Sequence, residues 1–183
     1  MTYEDICNCV AKMRRKYGSA DALSIAESMG ILVCFDSMGT GPNALKGYFI
    51  ESHRVRAITI NSDLPDIIQR IIAAHELCHA VNHRRCAILP FHDIALFDET
   101  SVFEKEANMF AAEFLLNDEE VIDTLNQDYT FFGAASVLGV PAELLDFKFR
   151  LMKWKGYKLM EAPIYSDSCF LKNMEVQQYG DFY

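Results

Sequence analysis

The sequence predicts an α+β fold, with helices at the N-terminus, a small antiparallel three-strand sheet, two central helices and a C-terminal helical part. Three observations point there. Residues 3–17 and 20–29 carry helical apolar spacing; three short β-like runs follow between 31 and 60; and helical pattern resumes at 63 and persists, with one interruption, to about 153. The 183 residues, 51% hydrophobic and 23% charged, suffice for one domain with a substantial core.

Each element has a local reason. The first helix ends at Gly18, and the second has Leu23, Ile25, Ala26 and Met29 as its apolar positions. Gly30 then stands just past the helix end, where a left-handed stop suits glycine. The β-like runs are Ile31–Phe35, Lys46–Ile50 and Val55–Ile60, and Glu51-Ser52-His53-Arg54 joins the last two as a hairpin connection. Residues 38–43 between the first two runs have turn composition.

Asp63–Asn82 has the best-defined helical pattern in the chain. Asp63 is the expected cap, Pro65 falls in the first turn where a missing N–H costs nothing, and Asp66 suits the positive end. Apolar residues at 67, 68, 71, 72 and 74 predict a broad buried stripe. Residues 83–99 lack a period and are expected to be loop with a short turn of helix. An alanine-rich helix follows at 100–116, then shorter ones at 118–126, 130–138 and 141–153, punctuated by Gly133, Gly139 and Pro141. The expected organisation is a core at 1–116, a helical part of the same domain at 117–160, and an irregular tail at 161–183.

Composition excludes several classes. The formal net charge of −9 argues against a broad phosphate-binding face, so no direct nucleic-acid contact is expected. The basic clusters at Lys12, Arg14, Arg15 and Lys16 and at Arg84 and Arg85 read as solvated helix faces. No basic start precedes an apolar run and no uncharged stretch could span a bilayer, so a cytoplasmic location away from membranes is expected. The six cysteines (Cys7, Cys9, Cys34, Cys78, Cys86 and Cys169) include no CxxC pair and read as small apolar thiols.

The chemistry concentrates at His75-Glu76-Leu77-Cys78-His79, an HExxH match. Residues i and i+4 share one helix face, so both imidazoles can reach one metal ion. Zinc takes neutral histidine nitrogens and leaves a position for water. The acid beside the first histidine can take a proton from that water and pass it to a leaving amine. Shuffled chains of this composition contain such a motif only about once in a hundred, so an accidental pair of core histidines is the weaker reading.

His83 continues the series but cannot join the same ion, because eight residues of helix climb about 12 Å. It is expected behind a ligand histidine or at the negative helix end. The third ligand must come from elsewhere, and carboxylates are the usual choice. Glu104 shares a helix face with Ala107, Asn108 and Ala111, small residues that permit close packing on the helix carrying Ala73 and Ala74. Asn108 could hold a ligand histidine by its second nitrogen. Glu106 points elsewhere, with Phe110 and Glu113, and reads as a solvated acid near a helix start. Helical facing therefore favours Glu104 over Glu106.

The runs HELCHAVNH and EKEANMFAAEFLLN together resemble the ImmA/IrrE metallo-endopeptidases, as do GYFI, AITINSDL and VLGVPAELLDFKFRLM around them. The resemblance covers roughly residues 20–155. It implies a zincin-like fold, with His75, His79 and Glu104 as zinc ligands and Glu76 as the catalytic acid and base. It also implies a helix-turn-helix repressor of a phage or mobile element as substrate. Two departures stand out: Cys78 replaces a common glycine, and Asn117 follows Leu116 where a proline is usual. Arg150, His92, Tyr129 and Tyr157 are unranked candidates for stabilising an oxyanion.

The expected function is zinc-dependent hydrolysis of a peptide bond in a protein. An edge of the β-like runs 46–50 and 55–60 would pair an extended substrate in a cleft beside the metal helices. The alternative is a binding protein that keeps the zinc site and sequesters a repressor without cutting it.

Overall fold

The computed structural model describes residues 1–41, 43–83, 91–93, 97, 99, 101–160 and 162–163. The chain begins with α1 (Tyr3–Tyr17), started by a reciprocal cap: Thr2 accepts from the Asp5 N–H, while the Asp5 carboxylate accepts from the Thr2 N–H. α2 (Ala22–Ser28) starts later than its apolar pattern suggests, because Asp21 accepts from the N–H groups of Leu23 and Ser24 and fixes the first turn there.

β1 (Leu32–Asp36), β2 (Gly47–Ser52), β3 (Val55–Asn61) and β4 (Phe91–Asp93) form one sheet in the order β1-β3-β2-β4. The α+β class holds, and so does the β2–β3 hairpin, whose turn places His53 and Arg54 at positive φ. Two features of the sheet differ from expectation. β1 pairs β3 in parallel, so the sheet is mixed. The cause lies in the loop after β1. Buried Asn61 donates to the carbonyls of Gly39 and Leu45 and accepts from the Met38 N–H, and Asp63 accepts from the Ser37 hydroxyl and the Gly39 N–H. These bonds carry the chain across the C-terminal end of β3 before it returns as β2.

The second difference is β4. Within the stretch expected to be loop, residues 91–93 pair antiparallel with Gly47–Phe49. β3 is therefore interior, and β2 is covered along Gly47–Phe49, where a free edge was expected. Residues 84–90, and with them Arg84 and Arg85, lie outside the described residues, as do 161 and 164–183 of the expected tail.

α3 (Asp66–Asn82) has no side-chain cap, since Asp63 is engaged by the loop and Pro65 occupies the cap position. Ile68, Ile71 and Ile72 bury against one face of the sheet, with Phe49, Ile58 and Ile60. Six buried large aliphatic or aromatic side chains there would contribute on the order of 10 kcal/mol of transfer free energy. α4 (Val102–Leu115) is capped by Ser101 and packs against α3 through small residues, with Ala73 and Ala74 on α3 and Ala107, Ala111 and Ala112 on α4 all buried.

Asn117 explains the missing proline: its side chain accepts from the Glu119 N–H and caps α5 (Asp118–Leu125). α6 (Phe131–Val137) and α7 (Ala142–Trp154) follow, and α7 returns to pack on α4. There Lys148, buried, bridges Glu113 at 2.7 Å and Asp118 at 2.5 Å, while Lys155 bonds the same two acids at 2.6 and 2.8 Å. No helix among the described residues is long and apolar enough to cross a membrane.

Candidate metal centre

α3 presents His75, Glu76 and His79 from its middle, all essentially inaccessible to solvent. The four-residue step puts the two imidazoles on one side of the helix, tilted 57° to each other, with 3.0 Å between their Nε2 atoms. From α4, Glu104 reaches across the alanine seam to place one carboxylate oxygen 3.0 Å from His75 Nε2 and the other 3.6 Å from His79 Nε2. A tetrahedral ion with bonds of about 2.05 Å needs donor atoms about 3.3 Å apart, and these separations bracket that value.

The outer nitrogens decide which atoms face the centre. His75 Nδ1–H donates to Asn108 Oδ1 at 2.9 Å, which turns Nε2 toward Glu104. His79 Nδ1 lies 2.8 Å from His83 Nδ1, and His83 Nε2 lies 2.8 Å from Glu106 Oε2. Burial pushes the His83 imidazolium down to about 3, with His79 adding to the effect, so His83 is neutral near pH 7. Two imidazole nitrogens and a carboxylate thus converge, a donor set that suits a cation. His75, His79 and Glu104 are the His/Cys/Asp/Glu cluster among the described residues whose donor atoms come close enough to share an ion.

Glu106 requires correction. It is buried, and it pairs with His83 and with the Met1 amino group, where a solvated acid was expected. Two residues apart on α4, the two acids diverge, so Glu106 serves the C-terminal end of α3 while Glu104 serves its middle. The sequence signal for it was His83 itself, a buried imidazole one turn beyond the motif that needs an acceptor.

Cys78 lies on another side of α3, its sulfur accepting from Asn82, and burial pushes its thiol up to about 12. It is neither a stray donor nor a crowding residue at the centre. Gly47 is a position that sequence reasoning missed. A Cβ there would stand 2.4 Å from Ile72 Cγ2 and 3.7 Å from Glu76 Oε1, so the absence of a side chain lets β2 approach α3 directly over Glu76.

The profile described as IrrE N-terminal-like domain, of the peptidase M78 family, matches residues 26–150. The chain belongs to this family. The IrrE-like match spans α3 and α4 and thus every residue of the cluster, together with the sheet and the first nine residues of α7. A relative, "Uncharacterized immunity region protein 2" of Bacillus phage phi105, is 32% identical over 146 residues, covering 80% of this chain and 90% of that protein. Membership of a metallopeptidase family accords with a donor set able to hold a metal.

Among the unranked polar candidates, Arg150 is held by Glu99 at 2.8 Å and Asp146 at 2.6 Å and lies over the Phe147 ring. Tyr129 and Tyr157 are exposed. None of these three bonds His75, Glu76, His79 or Glu104. The backbone of His92 pairs with Tyr48, next to Gly47, on the strand that flanks Glu76.

Proposed function

We propose that this chain is a zinc-dependent endopeptidase of the HExxH, gluzincin-like type, in which His75, His79 and Glu104 hold the ion and Glu76 moves the proton. The observation that carries this reading is the convergence of two Nε2 atoms and a carboxylate at 3.0–3.6 Å beside a buried Glu76. Zinc there would supply Lewis-acid polarisation of water and of the scissile carbonyl. Glu76 takes a proton from the attacking water and returns it to the leaving amine.

With β2 covered, an extended substrate is assigned to the outer edge of β4, where backbone bonds give affinity and side-chain pockets give specificity. The substrate class is a helix-turn-helix repressor. The resemblance of the central motifs supports this, and an acidic protein of net charge −9 attracts a basic DNA-binding partner. The same reading treats 1–116 as the catalytic core and 117–160 as a helical part of one domain, in a cytoplasmic protein.

The test pairs metal analysis with cleavage. Wild type should hold about one zinc per chain, and His75→Ala and His79→Ala should lose it. Wild type should fragment a repressor encoded beside it, whereas Glu76→Gln should bind zinc and leave the repressor whole. Tight binding by both proteins without fragments, with loss of repressor function, would favour sequestration.

A further inference from the structure

We infer that His83 and Glu106 act as a positioning pair, locking His79 in the tautomer and ring orientation that the metal centre requires. This rests on the metal reading above and adds to it. His83 is the residue at which α3 ends, its own N–H bonded to the His79 carbonyl, so its ring returns along the helix to meet His79. The three groups form one buried chain, with 2.8 Å from His79 Nδ1 to His83 Nδ1 and 2.8 Å from His83 Nε2 to Glu106 Oε2. The Phe103 ring, 5.0 Å from that of His83, closes one side.

For His79 Nε2 to face an ion, its Nδ1 must carry the hydrogen and donate to the His83 Nδ1 that lies 2.8 Å away. His83 then holds its own hydrogen on Nε2 and donates it to the Glu106 carboxylate, so the chain of contacts matches the tautomer that the centre requires. His75 is set the same way by the single amide of Asn108. The two histidines therefore have unlike supports: one neutral amide on α4, against a histidine–carboxylate pair that spans the end of α3 and the start of α4. Such supports commonly change metal affinity 10–100-fold when removed, by about that order here.

The experiment measures zinc dissociation constants by chelator competition, the visible spectrum of the cobalt-substituted protein, and the melting temperature of the metal-free protein. The proteins are wild type, His83→Phe, Glu106→Ala, Glu106→Gln and the double variant His83→Phe/Glu106→Ala. His83→Phe should weaken zinc binding by about 10–100-fold and alter the cobalt spectrum. Glu106→Ala should act in the same direction. Glu106→Gln, whose amide oxygen still accepts, should recover most of the affinity. The double variant should bind no worse than His83→Phe, because both changes break one chain. Unchanged affinity in His83→Phe and Glu106→Ala with only a lower metal-free melting temperature would overturn the inference, as would additive losses. If His83→Phe does not fold, the contrast between Glu106→Ala and Glu106→Gln decides. Failure of wild type to take zinc would instead overturn the metal reading itself, and the positioning role with it.

Discussion

Gly47 and Glu76 meet where β2 crosses α3, with 3.7 Å between the place a Cβ would occupy on Gly47 and Oε1 of Glu76. The same Cβ would stand 2.4 Å from Ile72 Cγ2 and 3.0 Å from the Thr59 carbonyl oxygen, between a buried side chain and fixed backbone. Gly47→Ala should therefore destabilise the protein by about 1–3 kcal/mol through overpacking. Denaturant titration checks the stability. Cleavage assays should also show a fall in turnover larger than the folded fraction accounts for.

Asn108 holds His75 from behind across α3 and α4. Asn108→Ala should leave the ring free to rotate and weaken zinc binding by about 10–100-fold. Glu104→Ala, which removes a donor, should weaken it further. Chelator competition ranks them, and an Asn108→Ala protein with the wild-type constant would assign Asn108 to packing alone.

Lys148 is the cation of a buried cluster on α7, bonded to Glu113 and Asp118. Lys148→Met should cost about 3 kcal/mol, the low end for breaking such a cluster because Lys155 still reaches both acids. The cluster also predicts a pH dependence. Burial raises the Asp118 carboxyl, but hydrogen bonds and charge from Lys148 and Lys155 outweigh it and hold the group below its ordinary 3.8. A depressed folded value contributes stability above the ordinary one and loses it as pH falls through the folded value. The wild-type melting temperature should thus drop more steeply than that of Lys148→Met below about pH 4. Parallel curves would show that the cluster does not couple to acid.

Cys34 is exposed on β1, whereas Cys78 is buried with its thiol raised to about 12. Alkylation of the native protein at pH 8 should label Cys34 rapidly and leave Cys78 unmodified until the protein unfolds. Peptide mapping after a timed reaction distinguishes them. Rapid labelling of Cys78 would mean that α3 opens in the native state.

The helices, the β2–β3 hairpin and the histidine pair were legible in the sequence because each depends on short-range geometry. Capping atoms lie two or three residues away, a hairpin closes over a few residues, and a four-residue step fixes the mutual position of His75 and His79 whatever surrounds the helix. Glu104 was also within reach, since its helix face is marked by Ala107, Asn108 and Ala111 and those residues pack on α3. The parallel pairing of β1 was not, because it follows from Asn61 and Asp63 tethering a loop more than twenty residues earlier in the chain. Nor was β4, three residues whose pairing exists only where β2 is waiting. Glu106 shows the same division: its distance along α4 from Glu104 is written in the sequence, but its partner His83 lies 23 residues away. Spacing along the chain determined which groups could share an ion. Only the packing of α4 on α3 decided which acid enters the centre and which stands behind it, because non-local contacts carry no periodicity of their own.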